Sequence, residues 1–183
     1  KWFSEYHPKK IAPYDAKATY LLVQRPFEDQ VDDRIKKKAY VINTEQLSKK
    51  IEMKRMQTSC IDKGFRLIDY DLYQSQLIGS TYIPYQITPK ENTLLTKLLK
   101  CEKEYDVAIC PLYVGKRSVI ASRLRQAGIT VKDVRGQGIA RDKQLAKAKI
   151  LLNVHHANDY QIFEHLRCDR WVFAGQVVVS ESS

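Results

Sequence analysis

The feature that most restricts how this chain can fold is an alternation that runs almost from end to end. Apolar runs of strand length are separated by segments whose apolar residues recur every three or four positions. Parallel strands need a long crossover, normally a helix, so this alternation predicts parallel sheets covered by helices. The strand candidates are "ATYLLVQ", "AYVINTE", "FRLIDYD" and "TYIPYQ" in the first half, then "YDVAICPL", "ITVKDVRG", "KILLNVHH" and "QVVVSE". The helix candidates are "TEQLSKKIEMKRMQTSCIDKG", "ENTLLTKLLKCEKE", "KRSVIASRLRQAG", "RDKQLAKA" and "DYQIFEHLRCDRWVFAG", with Gly64 and Gly128 suited to close two of them. Between the halves lies "PYQITPKEN", whose prolines Pro84 and Pro89 mark a hinge. The expected architecture is therefore α/β: two small Rossmann-like lobes with parallel sheets, residues 1–85 and 86–183, and a cleft between them. No internal repeat is visible, so the halves are alike in pattern only.

A formal charge of +10 and a pI near 9.4 imply attraction to polyanions or to anionic small molecules. The Lys and Arg residues are spread along the whole chain and mixed with acids, with no arginine-rich arm or RNP-type aromatic motif. Runs such as "IKKK" and "SKK" therefore read as a solvated basic surface, and a nucleic-acid-binding domain is the rival reading that charge alone favours. No apolar run is long enough to cross a bilayer and the opening residues lack a signal peptide's apolar core, so a soluble, cytoplasmic protein is expected. Cys60, Cys101, Cys110 and Cys168 form no CxxC pair, which points to neither a zinc site nor a disulfide framework. A first residue other than Met and an end close behind a strand suggest part of a longer, multidomain chain.

In an open parallel sheet ligands bind outside the carboxyl ends of the strands. Those ends are polar here: Asn43, Thr44 and Glu45; Asp69 and Asp71; Gly115, Lys116 and Arg117; Gly136 and Gly138; Asn153, His155 and His156; Ser180 and Glu181. In "PLYVGKRSVIASRLRQAG" a glycine loop leads into a helix that starts with two cations, a setting that favours phosphate; a plain surface turn accounts for it equally well. The glycines of "VRGQGIARDKQ" would let a backbone approach a base or ribose, although a flexible connection is the simpler account. His155 and His156 would point to opposite faces of a strand and so do not chelate one metal together, and Asn158 or Asp159 suits the cap of the next helix. Glu164 sits among Ile162, Phe163 and Leu166, where a lone carboxylate is costly to bury, so either Arg167 or a ligand hydroxyl should pair with it.

The stretch "AKILLNVHHANDYQIFEHLRCDRWVFAGQVVVSE" resembles the C-terminal signature of GT-B-type glycosyltransferases, a strand followed by a helix with an F-E-A-x-x-C-G-x-x-V-V-S-E pattern. Upstream, "YDVAICPLYVGKRSVIASRLRQAGITV" is similar to the first strand, phosphate loop and helix of that family's nucleotide-binding lobe. The likeness covers roughly Pro84 to Ser183 and is nearest to compact members from large DNA viruses, including modules of chlorovirus multidomain enzymes, and from bacterial polysaccharide clusters. It implies transfer of a sugar from a nucleoside-diphosphate-sugar donor to a glycan acceptor. It further implies that Glu164 accepts from the ribose, that Gly115, Lys116 and Arg117 face the diphosphate, and that Arg135 to Ile139, with Gly136 and Gly138, border the base. His155, His156, Asn158 and Asp159 would lie towards the sugar, with Glu181 also in the donor site.

Such a reaction needs no metal or other cofactor where backbone donors, a helix N-terminus and cations stabilise the leaving diphosphate. An inverting transfer also needs a base for the acceptor hydroxyl. Glu45 and Asp71 are the catalytic candidates, with Asp69 beside them; each is equally suited to a helix start or a turn.

Overall fold

The computed structural model describes residues 14–23, 31, 33–109, 115–155, 158 and 160–182. The chain divides into two compact units, Lys1–Pro84 and Tyr85–Ser183.

The first unit contains β1 (Tyr20–Val23), α1 (Asp33–Lys36), β2 (Ala39–Ile42), α2 (Lys50–Met56) prolonged by a π-helical turn (Gln57–Ile61), β3 (Arg66–Asp69), α3 (Leu72–Ile78) and β4 (Thr81–Tyr82). Its four strands are parallel and lie in the order β1-β2-β3-β4, with Val41 paired to Leu22 on one side and Leu67 on the other. The core gathers Val41 and Leu67 from the sheet, Ile35 from α1, and Met56 and Cys60 from the second helix. The helix α3 has no counterpart among the expected elements. Seven residues make two turns, too few for a periodic signal, and its ends carry the information instead. Asp71 caps it by accepting from the Gln74 N–H at 2.8 Å, and Gly79 closes it in the left-handed conformation.

The second unit contains α4 (Pro89–Leu99), β5 (Tyr105–Ile109), α5 (Lys116–Gln126), β6 (Val131–Asp133), α6 (Gly138–Ala146), β7 (Ala148–Asn153), α7 (His165–Phe173) and β8 (Val177–Ser180). Part of the expected hinge is helical: Pro89 occupies the first turn of α4, where its missing N–H costs nothing, and Thr88 caps it. The four parallel strands lie in the order β6-β5-β7-β8. Side chains of β5 alternate between faces: Val107 and Ile109 pack with Ala121 of α5, whereas Ala108 packs with Leu95 of α4, Leu145 of α6 and Trp171 of α7. The order reverses at β5, so the chain leaves β5 towards one face of the sheet and leaves the adjacent β7 towards the other. Loops that part in this way open a crevice between them, the ordinary ligand position of a doubly wound sheet.

Cys60 and Cys168 are buried free thiols and Cys101 is a half-buried one; Cys110 lies outside the described residues. Among the described residues no helix is long and apolar enough to cross a membrane.

Candidate functional site

The carboxyl ends of β5, β7 and β8, around the point where the strand order reverses, collect most of the polar strand ends of the second unit. Gly115 precedes α5 with φ 75° and ψ −144°, a backbone conformation open to glycine alone. A Cβ there would meet no neighbouring atom, so the dihedral angles and not space demand the glycine. No side chain caps α5, and its first turn holds Lys116 and Arg117 with no acid. Cations at the positive end of a helix dipole are unfavourable by roughly 0.3–1 kcal/mol each. Compensating anions must come from elsewhere in the fold.

Two carboxylates supply them. Lys116 Nζ lies 2.9 Å from Glu181 Oε1, just past β8, and the other Glu181 oxygen accepts the His155 N–H at 3.3 Å. Burial pushes the Glu181 carboxyl up, but Lys116 and the His155 N–H more than offset this and hold it below its ordinary range. Arg117, 5% exposed, donates from Nε to the Val154 carbonyl at 2.7 Å and from Nη2 to Glu164 Oε1 at 3.1 Å. The second oxygen of Glu164 pairs with Arg167 Nη1. Glu164 therefore precedes α7 instead of lying on its apolar face, and its burial is offset by two guanidiniums.

His155 stands apart from this pairing. It is 4% exposed, and neither ring nitrogen has a hydrogen-bond partner among the described residues. An orphaned buried polar group costs about 1–3 kcal/mol, a cost a ligand at this position would relieve. His156 and Asp159, the other two residues expected here, lie outside the described residues, and Asn158 is exposed in a turn.

Gly136 and Gly138 are exposed at the carboxyl end of the edge strand β6, the second as the first residue of α6. Of the charged residues that follow, Asp142 faces inward. It is 3% exposed and takes both Nη groups of Arg170, at 3.1 and 3.0 Å, while Arg170 Nε reaches Glu91 at 2.8 Å. This cluster ties α4, α6 and α7 together. A cavity of about 20 Å³ beneath α7, lined by Leu151, Asn153, Arg167 and Trp171, has room for one water and none for a nucleotide.

In the first unit the two catalytic candidates differ. The Asp71 carboxylate is the α3 cap. Glu45 is half-buried, and its carboxylate has no hydrogen bond or ion pair among the described residues. What holds Glu45 was not apparent from the sequence. Asn43 accepts the Glu45 N–H at 3.0 Å and donates to the Glu45 carbonyl at 2.9 Å, and the same amide donates to Asp69 Oδ2 at 2.7 Å. Asp69 Oδ1 also accepts from the Asp71 N–H at 2.9 Å and Gln74 Nε2 at 3.2 Å, and Gln74 Oε1 accepts from the Leu47 N–H. Asn43, Asp69 and Gln74 are each 0% exposed. Burial pushes the Asp69 carboxyl up despite these three donors. Polar residues at strand ends flag Asn43 and Asp69, but nothing local flags Gln74.

Among the described residues no group of three or more His, Cys, Asp or Glu side chains is arranged to hold a metal ion. No family model matches the chain, and no solved structure matches it. Three proteins of Acanthamoeba polyphaga mimivirus are similar to it. Uncharacterized protein L138 is 39% identical over 84% of this chain and 18% of its own length, and uncharacterized protein L137 is 38% identical over 78% and 20%. Uncharacterized protein L140 is 32% identical over 92% of this chain and 56% of its own. The chain thus spans about a fifth of two of these relatives and just over half of the third.

Proposed function

We propose that the protein is a metal-independent glycosyltransferase of GT-B type, whose second unit binds the nucleoside-diphosphate-sugar donor. The observation that carries this reading is the convergence at the β5/β7 crevice. An uncapped helix N-terminus and Lys116 after β5, a buried His155 without a partner among the described residues after β7, Glu181 after β8 and Glu164 at the start of α7 meet in one charged cluster. A diphosphate fits beside the first turn of α5, where backbone N–H groups, the dipole and Lys116 all favour negative charge. Glu164, held by two arginines, keeps lone pairs for ribose hydroxyls. The Gly136–Gly138 turn, followed by Ile139 at 46% exposure, offers an open backbone and an apolar surface for the base. In the first unit Glu45 is the better base for the acceptor hydroxyl of a glycan, because Asp71 is committed to capping.

The test is ligand-detected NMR of the full chain with UDP, GDP, dTDP and their sugar conjugates, alongside Lys116→Ala and Glu164→Ala. One nucleotide should bind, and both substitutions should weaken it. Binding of short oligonucleotides, steeply reduced by salt and without response to any nucleotide, would replace this reading with nucleic-acid binding.

A further inference from the structure

The family resemblance points Arg117 at the diphosphate, yet its surroundings describe a different task. Only Arg117 and Ala121 of α5 are buried, so the helix holds a guanidinium where an aliphatic side chain would ordinarily pack. A buried charge is tolerated when its donors are satisfied in good geometry. The partners chosen are informative. Val154 is the first residue beyond β7, and Glu164 is the last before α7. One guanidinium thus grips both ends of the loop that carries His155, at 2.7 Å and 3.1 Å.

We infer that Arg117 is the clasp of the β7–α7 loop, a positioning residue that acts on a bound nucleotide through Val154 and Glu164 without touching it. This inference rests on the nucleotide-site reading above. Closing a loop of this length costs chain entropy, and a planar fork with fixed donor directions holds both ends at once. Lysine, with one ammonium on a flexible stem, keeps the charge but does not reproduce the fork. The clasp also sets the plane of the Glu164 carboxylate, because Arg167 holds its other oxygen. Phosphate contact is then left to Lys116 and the backbone of α5, whereas recognition of the nucleoside depends on Arg117 indirectly.

This division of labour separates two ligands. On the full chain, titration calorimetry with inorganic pyrophosphate and with the nucleoside diphosphate found by NMR would be run on wild type, Lys116→Ala and Arg117→Lys. Arg117→Lys should weaken the nucleoside diphosphate by about 10- to 100-fold, the worth of one charge-assisted hydrogen bond. Pyrophosphate should stay within about threefold of wild type. Lys116→Ala should weaken both. Hydrogen exchange should rise at residues 154, 155 and 160–164 in Arg117→Lys while α5 stays protected. Where Arg117→Lys does not fold, Arg117→Gln, which keeps a planar donor for the Val154 carbonyl, should show the same selective loss.

Equal losses for pyrophosphate and nucleoside diphosphate would make Arg117 a phosphate ligand, and wild-type affinity in Arg117→Lys would reduce it to a mere charge; either overturns the clasp alone. If wild type binds no nucleotide and no pyrophosphate, the nucleotide-site reading falls and the clasp with it.

Discussion

Asp69→Asn and Asp71→Asn are the same chemical change two residues apart, and the structure assigns them opposite consequences. Asp69 is 0% exposed and accepts from the Asn43 side chain, the Gln74 side chain and the Asp71 N–H. An asparagine can keep its oxygen towards Gln74 and the Asp71 N–H, but its amide nitrogen then faces the Asn43 amide nitrogen, donor against donor. Asn43 cannot flip in response, because its oxygen and nitrogen already satisfy the Glu45 N–H and carbonyl. One charge-assisted bond is lost, a buried donor is stranded, and two further bonds weaken from ionic to neutral. The sum is about 2–4 kcal/mol. At the helix cap, by contrast, asparagine serves as well as aspartate, and Asp71→Asn should cost under about 0.5 kcal/mol. Urea unfolding at neutral pH followed by far-UV circular dichroism checks both, and for Asp69→Asn the midpoint should fall by about 1–2 M. Asp69→Asn proving as stable as Asp71→Asn would refute the hub. The pair also bears on the proposed glycosyltransferase reading: under it Asp71→Asn should retain sugar transfer if the carboxylate only caps, whereas Glu45→Gln should abolish it.

Two further outcomes follow from the ionisable groups. The Tyr85 hydroxyl, 3.2 Å from Glu91, is pushed up to about 12 by burial and then by that carboxylate, so its phenolate absorbance should appear well above the ordinary tyrosine range and earlier in Glu91→Gln. Its neutral form is the one the fold favours, so the stability it contributes is present below about pH 10 and is lost as pH rises through the folded value. Glu181→Gln should cost at most about 1 kcal/mol of stability, because the Lys116 pair is partly exposed, yet it should tighten nucleoside-diphosphate binding by about tenfold by removing a negative charge beside Lys116. Weaker binding in calorimetry would instead make Glu181 a ligand contact. With its folded value lowered, the contribution of Glu181 to stability is present above about pH 4.3 and disappears as pH falls through that lowered value.

The strands were legible because each is a local apolar run, and all eight expected runs contain one. The helix α3 was not, since its evidence lies in two caps and not in a repeat. Of the residues in the proposed nucleotide site, Gly115, Lys116, His155 and Glu181 could be named from their places at strand ends and Glu164 from its apolar neighbours, but their partners could not. Arg117 and Glu164 are 47 residues apart, and Asn43 and Asp69 are 26 apart. Asp142 and Arg170, which pair across the helices, are 28 residues apart.

Sequence alone determined the α/β class, the parallel pairing and the end of each sheet where ligands belong, because hydrophobic period and crossover length are properties of short segments. Only the tertiary structure decided the order β6-β5-β7-β8, and with it which two loops part to make a crevice. It also decided which charges there remain available to a ligand and which are spent on one another. Pairing energies depend on distances of a few ångströms across the fold, and spacing along the chain does not encode those distances.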